Sequence, residues 1–324
     1  MKICLKPIPQ ELCQALQASY PTIPLSLIGC RAAGYAHPVC EYDVLAVTES
    51  RKGSLRRLLR GYYVDLHFTT MKTLKNILQS ELAITLYHAH HLSDPGWLLT
   101  SISSRLKSLR LERLKHTFLT RRMRSALVKM GRFYEALSEG NLLDTAYWLH
   151  SSSYDYSDCM TALMGDFPSP SHTITQMQKY SRAEYGDFFR IWCDALGMDL
   201  ATHAGVTRRI EALLTILKPL GELKQQLQEP PENWVFGLMT SPHYFQVTEE
   251  KARHLVKAHK VLEAYCYLGH EVVKAIEELY TLQCAVEGLT PTYSKILTML
   301  SEQKPLILRP DFIRMLGFDS EERI

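Results

Sequence analysis

The pattern of apolar and polar positions divides the chain into a strand-rich first third and a helical remainder. Short runs rich in branched and aromatic side chains are typical of buried strands, and such runs predict strands at 23–28, 42–48, 62–68 and 82–91. Apolar residues at helical spacing predict helices at 8–19, 31–35 and 71–79. The arginine-rich segment 49–61 is predicted to be a solvated loop or helix face, with the alternative that its charges hold phosphates or an acidic acceptor.

From about residue 97 onward, helical periodicity replaces the strand pattern. The segment 98–138 predicts one or two long helices, and 132–220 predicts an up-and-down bundle with short connections. An amphipathic stretch at 248–287 predicts a long helix that Gly269 divides. A proline-rich loop at 229–233, a short helix at 291–302 and a docked tail complete the prediction.

These elements predict an α+β protein with an α/β domain and a mixed sheet first, followed by an all-α helical region. We place the domain boundaries at 1–96, 97–228 and 229–324. The first is the α/β domain, the second contains a basic helix and a helical bundle, and the third is a C-terminal helical region.

Three carboxylates mark one end of the predicted sheet. Glu41 and Asp43 lie two residues apart where the second strand begins, so their side chains share a face. Asp65 lies inside the apolar run 62–68, where a charge is unexpected unless it faces a site or a partner. If these strands are neighbours, the three carboxylates converge and require a cation between them. Hard oxygen ligands of this kind favour Mg²⁺.

A glycine-containing loop with Gly29, Cys30, Arg31 and Gly34 precedes the acidic pair. The order of strand, loop, acidic pair and third Asp resembles the nucleotidyltransferases of the DNA polymerase β superfamily, above all the minimal type with a G-S-x-A-x-G loop. The Ala-Tyr-Trp-Leu helix at 146–149, the Pro-Ser-His turn at 170–172 and the helix after it are similar to the HEPN-like substrate-binding bundles that accompany that type. The sequence lacks the R-x4-H signature of HEPN ribonucleases, so no nuclease activity is expected.

The resemblance implies transfer of a nucleoside monophosphate from a nucleoside triphosphate (NTP), with ATP as the first candidate. It implies that Glu41 and Asp43 bind Mg²⁺ or Mn²⁺, and that Asp65 completes the metal site or acts as the base. The loop residues would position the triphosphate. Two residues depart from the family pattern, because Cys30 replaces a serine and Glu41 replaces the usual aspartate. A thiol is a weaker hydrogen-bond donor than a hydroxyl.

The acceptor stays open between a small molecule, a protein side chain and an RNA end. Ten Lys or Arg residues against one acid between 105 and 132 favour phosphate or RNA contact, although a solvated helix face explains them equally well. The alternative to an active transferase is a catalytically weak relative that serves as a nucleotide sensor or an interaction scaffold.

Composition and the remaining candidates narrow the picture. Eight scattered cysteines without a C-x-x-C pair, no secretory leader and no membrane-length apolar run predict a cytoplasmic protein without membrane contact. We interpret the histidines at 88, 90 and 91 as structural. We interpret the aromatic residues at 147, 148, 154 and 156 as core rather than as a base-stacking surface.

Overall fold

The computed structural model describes residues 8–181, 186–226 and 234–287. The predicted α+β class is confirmed, since a five-stranded mixed sheet near the N-terminus is followed by helices. The strands are β1 (Leu25–Leu27), β2 (Tyr42–Thr48), β3 (Gly53–Leu59), β4 (Tyr62–Thr70) and β5 (His90–Ser93).

The helices among the strands are short, and the longest helices follow the strands. The helices are α1 (Gln10–Ser19), α2 (Gly29–Ala33), α3 (Met71–Lys75), α4 (Leu82–Tyr87), α5 (Leu98–Lys107), α6 (Leu111–Ser138), α7 (Leu142–Leu163), α8 (Thr173–Ser181), α9 (Gly186–Ala195), α10 (His203–Gln226), α11 (Trp234–Met239), α12 (Tyr244–Lys257) and α13 (Val261–Glu287). None of these described helices is both long and apolar enough to cross a membrane.

Packing divides the chain into two units. Of the described residues, one unit contains 8–119 with 234–247, and the other contains 120–181, 186–226 and 248–287. The division into three domains at 96 and 228 stays a prediction.

The sheet of the first unit has the strand order β3-β4-β2-β1-β5. Strands β2 and β4 are parallel, and the other neighbouring pairs are antiparallel. Successive side chains along each strand lie on opposite faces of the sheet, as the strand period of two requires. Val44 and Ala46 pack with α1 on one face, whereas Leu45 and Val47 pack with α3 to α5 on the other.

Two sequence predictions in this unit are wrong. Residues 82–87 form the buried helix α4 instead of a strand, and only His90–Ser93 of the predicted strand is extended. Segment 49–61 is not a loop or helix face, because it contains strand β3. Arg60 and Gly61 both have positive φ and form the tight turn from β3 to β4.

The helical prediction for 71–79 is confirmed, as α3 followed by a 3-10 turn at Ile77–Gln79. The break in the predicted stretch 248–287 falls at 258–260 instead of Gly269. Gly269 lies inside α13, where a Cβ would overlap the side chains of Arg209 and Tyr154. The loop 229–233, the helix 291–302 and the tail lie outside the described residues.

Buried polar groups link the helices of the second unit. Arg209 donates through Nη1 to the carbonyl of Tyr265 and lies over the Tyr265 ring, with its carbon Cζ 3.3 Å from the ring centroid. The Tyr154 hydroxyl donates to the carbonyl of Cys266, and Tyr147 is also buried. The interpretation of these aromatic residues as core is therefore confirmed at positions 147 and 154.

His150 makes the stability of this unit depend on pH. Burial, together with the charge of Arg209, lowers the pKa of His150 well below its usual value. His150 is therefore neutral in the native state over the range in which it is protonated in the unfolded chain, that is, below a pH of about 6.5. We expect the free energy of unfolding to fall as the pH is lowered from 7 to 5, by up to about 1.4 kcal/mol per pH unit for this group.

Denaturant titrations across this pH range test that expectation. His150→Gln should flatten the slope, because glutamine does not titrate. His203→Gln changes an exposed histidine of the same unit and should leave the slope as it is in the wild type. Equal slopes in the wild type and the His150→Gln variant would contradict the prediction.

Candidate active site

A row of three charged side chains crosses the sheet of the first unit at the start of β2. Asp43 on β2 is the register partner of Asp65 on β4, and Asp65 is the register partner of Arg56 on β3. Side chains at paired positions of neighbouring strands project from the same face. Here that face is the one covered by α3 to α5, because Leu45, two residues after Asp43, packs there. The predicted convergence of Asp43 and Asp65 is therefore present.

Arg56 holds Asp65 in a buried ion pair. Its Nε atom donates to Oδ1 of Asp65 at 2.6 Å, and Nη2 donates to Oδ2 at 2.7 Å. Only 5% of Arg56 and 2% of Asp65 are exposed. The same guanidinium lies 3.9 Å from the carboxylate of Glu41 and donates through Nη1 to the carbonyl of Tyr244. A bidentate charged pair of this kind fixes the orientation of the carboxylate.

His67 stands two residues beyond Asp65 and on the same face of β4. Its Nε2 atom lies 3.4 Å from Oδ1 of Asp43, and its Nδ1 atom lies 2.8 Å from the hydroxyl of Ser54. Ser54 is the register partner of His67 on β3. One ligand atom each from Asp43, Asp65 and His67 lies within 4.8 Å of the other two, a grouping that could hold a metal ion. Glu41 is not part of this grouping.

The electrostatics of the site disfavour a negative charge on Asp43. Burial, with the nearby carboxylates of Glu41 and Asp65, raises the pKa of Asp43 to about 6, although His67 acts in the opposite direction. About 20% of the Asp43 side chain is exposed. A bound cation would relieve the accumulated negative charge.

Gly29 brings the loop backbone against this carboxylate. Its φ is +72°, and a Cβ at this position would overlap Oδ2 of Asp43. The Ile28 amide just before it donates to the Asp43 carbonyl at 2.8 Å. Glycine is therefore needed here both for its left-handed conformation and for the space that the carboxylate occupies.

Comparing alanine variants at Gly29 and Gly34 should separate the backbone requirement from the space requirement. Gly34 also has positive φ, +84°, but a Cβ there would meet nothing within 4 Å. We expect Gly34→Ala to cost about 1–2 kcal/mol of stability from backbone strain alone. Gly29→Ala should cost about 1–3 kcal/mol more, since the Asp43 carboxylate must move. Urea unfolding of both variants gives the comparison, and equal losses would contradict the close approach.

The structure places the other predicted loop residues within internal contacts. Arg31 donates through Nε to the carbonyls of Cys40 and Glu41, both at 3.0 Å, and its guanidinium lies over the ring of Tyr42. The Cys30 thiol is buried. Its hydrogen bond with Cys40 is the main cause of a raised pKa, and burial adds to the effect. Their predicted role in nucleotide binding stays a prediction.

The basic segment 105–132 has both internal and exposed cations. Lys129 and Arg122 pair with the buried carboxylate of Asp155 at 2.7 and 3.2 Å, and Lys115 is buried. Arg132 lies over the ring of Trp148. The exposed cations of the segment are at positions 105, 107, 110, 113, 121, 124 and 132.

The histidines near β5 have structural partners. Nε2 of His90 lies 3.0 Å from the carbonyl of Ala32, and Nδ1 of His91 lies 2.7 Å from the hydroxyl of Ser26. These contacts tie β5 to α2 and to its neighbour β1.

Sequence reasoning missed His67 and Ser54, and it named Arg56 only as one of the cations of segment 49–61. A signal for His67 was available, because the spacing Asp65-Leu66-His67 puts the imidazole on the face of the carboxylate. A signal for β3 was the Arg60-Gly61 dipeptide, since a two-residue turn next to an apolar run indicates a hairpin. The pairing of Arg56 with Asp65 follows only from the register.

No protein-family model matches the sequence, and no curated protein matches it. Among solved structures, a nucleotidyltransferase-like protein from Exiguobacterium sibiricum 255-15 aligns with a TM-score of 0.35 and 13% sequence identity. The alignment covers 94% of this chain and 91% of that protein. A likeness of this size does not establish a shared function.

Proposed function

We propose that the chain is a metal-dependent nucleotidyltransferase that moves a nucleoside monophosphate from an NTP to an acceptor and releases pyrophosphate. The observation that carries the proposal is the pairing of Asp43 and Asp65 on adjacent parallel strands, with the backbone of Gly29 against the Asp43 carboxylate. Two neighbouring carboxylates beside a glycine loop suit a metal ion together with a phosphate chain.

The donor set fits a divalent cation. Asp43 and Asp65 would hold the ion, and the raised pKa of Asp43 supports a cation at this place. A bound divalent ion neutralises the charge that develops on the leaving pyrophosphate. A ligand role for Glu41, whose carboxylate lies 3.9 Å from the Arg56 guanidinium, is an expectation of the family resemblance.

The chain's own residues then have distinct roles. Arg56 fixes the orientation of Asp65, and the partly exposed Asp43 faces the entering nucleotide. Gly29 leaves room for the Asp43 carboxylate beside the loop, which any side chain would displace. An acceptor hydroxyl or amine would lose its proton to one of these carboxylates as it attacks the α-phosphorus.

A second candidate function is nucleotide sensing without transfer. It is favoured by the bidentate contact of Arg56, which already neutralises the third carboxylate of the predicted set. In an active enzyme that carboxylate would be expected to serve the metal or the acceptor proton. The two candidates differ in a single observable, the release of pyrophosphate.

The exposed cations of 105–132 support an acceptor rich in phosphate, such as an RNA end. The internal pairing of Arg122 and Lys129 reduces the number of cations available for that contact. A protein side chain or a small molecule is the competing acceptor.

Transfer of label from each α-³²P-labelled NTP tests the proposal. The reaction contains Mg²⁺ or Mn²⁺ and, in separate tubes, total RNA, the protein alone or a pool of small hydroxyl and amino compounds. We expect metal-dependent label on one acceptor class with equal release of pyrophosphate. Tight NTP binding without pyrophosphate release in any tube would favour the sensor.

A further inference from the structure

The arrangement around Asp43 differs from an all-oxygen magnesium site in one respect. An imidazole nitrogen, Nε2 of His67, belongs to the group of potential ligand atoms, whereas the second acidic residue of the predicted pair, Glu41, does not. Mg²⁺ demands oxygen ligands, but first-row transition metals accept imidazole as well as carboxylate.

We propose that the site binds a divalent transition-metal ion such as Mn²⁺ through Asp43, Asp65 and His67, in preference to Mg²⁺. The proposed function supplies only the catalytic role of the ion. The choice of ligands comes from the positions of the three side chains on β2 and β4. The three side chains are buried or partly buried, which distinguishes them from an exposed cluster of acids.

The distance between Asp43 and His67 suits a shared ion. Nε2 and Oδ1 are 3.4 Å apart, which is longer than the usual separation of about 2.9–3.0 Å in an N–H···O hydrogen bond. Two donors on opposite sides of a metal ion, with bonds of about 2.1 Å, are at most about 4.2 Å apart. The observed separation lies between these values.

A second contact orients the imidazole. When Nδ1 of His67 carries the proton and donates to the hydroxyl of Ser54, the lone pair of Nε2 faces the Asp43 carboxylate. Two acceptors that face each other are stabilised by a cation between them. Metal-binding histidines characteristically donate a hydrogen bond from their other ring nitrogen to a nearby acceptor, and this bond fixes the tautomer and the ring plane.

Asp65 is oriented in the same way. Arg56 binds one lone pair on each oxygen of Asp65 and leaves the others for a metal. With Arg56 counted, the row of Asp43, Asp65 and Arg56 carries a net charge of only about −1 at neutral pH when both carboxylates are ionised. A neutral imidazole as third ligand therefore suits a transition-metal ion, which binds nitrogen as well as carboxylate oxygen.

Pulsed EPR of Mn²⁺ bound to the full chain tests the ligand set directly, because a coordinated imidazole produces ¹⁴N modulation of the electron spin echo. We expect this modulation in the wild type and its loss in His67→Gln. His91→Gln is the matched control, since His91 also pairs with a serine hydroxyl in the same sheet but away from the carboxylates. It should keep the modulation.

Calorimetric titration gives the second readout. Mn²⁺ should bind the wild type at least tenfold more tightly than Mg²⁺, and His67→Gln should remove most of that preference. Bound Mn²⁺ without ¹⁴N modulation in the wild type, or equal affinities for the two metals, would overturn the inference. The wild-type spectrum decides the question even if a variant fails to fold.

The outcomes also separate this inference from the proposed function. Nitrogen coordination without nucleotide transfer would uphold the metal site and refute the transferase. Transfer supported by Mg²⁺, with His67→Gln as active as the wild type, would uphold the transferase and refute the role of His67.

Discussion

Replacing Asp43 with asparagine should abolish nucleotide transfer, with a loss of turnover of about 10³-fold or more. Asparagine keeps the size of the side chain but removes the charge that would hold the metal ion, and catalysis of this kind depends on electrostatic stabilisation by the metal. A loss of 10³-fold corresponds to about 4 kcal/mol of transition-state stabilisation.

The fold should tolerate this change. The pKa of Asp43 is raised to about 6, so ionising this carboxyl costs more free energy in the native state than in the unfolded chain, and an uncharged amide removes that cost. Circular dichroism and the unfolding midpoint should match those of the wild type. A lost activity can then be assigned to the site.

Glu49→Gln is the matched control for this experiment. Glu49 directly follows β2, at the opposite end of the strand from Asp43, and it is exposed. The control should retain wild-type turnover. Undiminished turnover in Asp43→Asn, or equal losses in the two variants, would refute the mechanism.

The second large effect is expected on stability. Arg56→Met should reduce the free energy of unfolding by about 3–5 kcal/mol, because it leaves the buried carboxylate of Asp65 without its cation. Methionine keeps much of the apolar stem of the arginine, so the loss reports mainly on the unpaired charge. Denaturant unfolding at neutral pH measures it.

Two further variants make this prediction specific. Adding Asp65→Asn to Arg56→Met should recover part of the loss, because the orphaned charge is removed with its partner. Arg253→Met removes an exposed arginine that also binds one carboxylate, that of Glu249, through two nitrogens. This surface change should cost less than about 1 kcal/mol. Similar losses for Arg56→Met and Arg253→Met would contradict the importance of burial.

The position of the acidic pair could be predicted from local sequence. The apolar run at 42–48 matches β2 in full, and the glycine at 29 marks the turn that follows β1. These features depend on alternation and on backbone conformation, which neighbouring residues determine. The same reasoning correctly placed Asp65 within a strand.

The wrong prediction of a strand at 82–91, where the structure has helix α4 at 82–87, comes from the way this segment is buried. Residues 82–86 are buried on every side of α4, which packs in the core with the sheet and α5. A short run that is buried all round has no amphipathic period, so periodicity does not distinguish a helix from a strand. The packing partners decide it, and they are distant in sequence.

The basic strand β3 shows why part of the site was missed. Arg56 and Arg57 look alike in the sequence, yet Arg56 is buried and Arg57 is exposed. The difference arises because the register with β4 puts Arg56 opposite Asp65. Cross-strand pairing of this kind is a property of the folded sheet, and no local pattern in the chain contains it.

Calorimetric titration with each NTP, with and without Mn²⁺ or Mg²⁺, tests the central claim most directly. The account predicts metal-dependent binding to the wild type and none to Asp43→Asn, while Glu49→Gln binds as the wild type does. Binding that is independent of metal, or that survives in Asp43→Asn, would place the nucleotide elsewhere. The absence of any binding to the wild type would contradict a nucleotide site at these carboxylates.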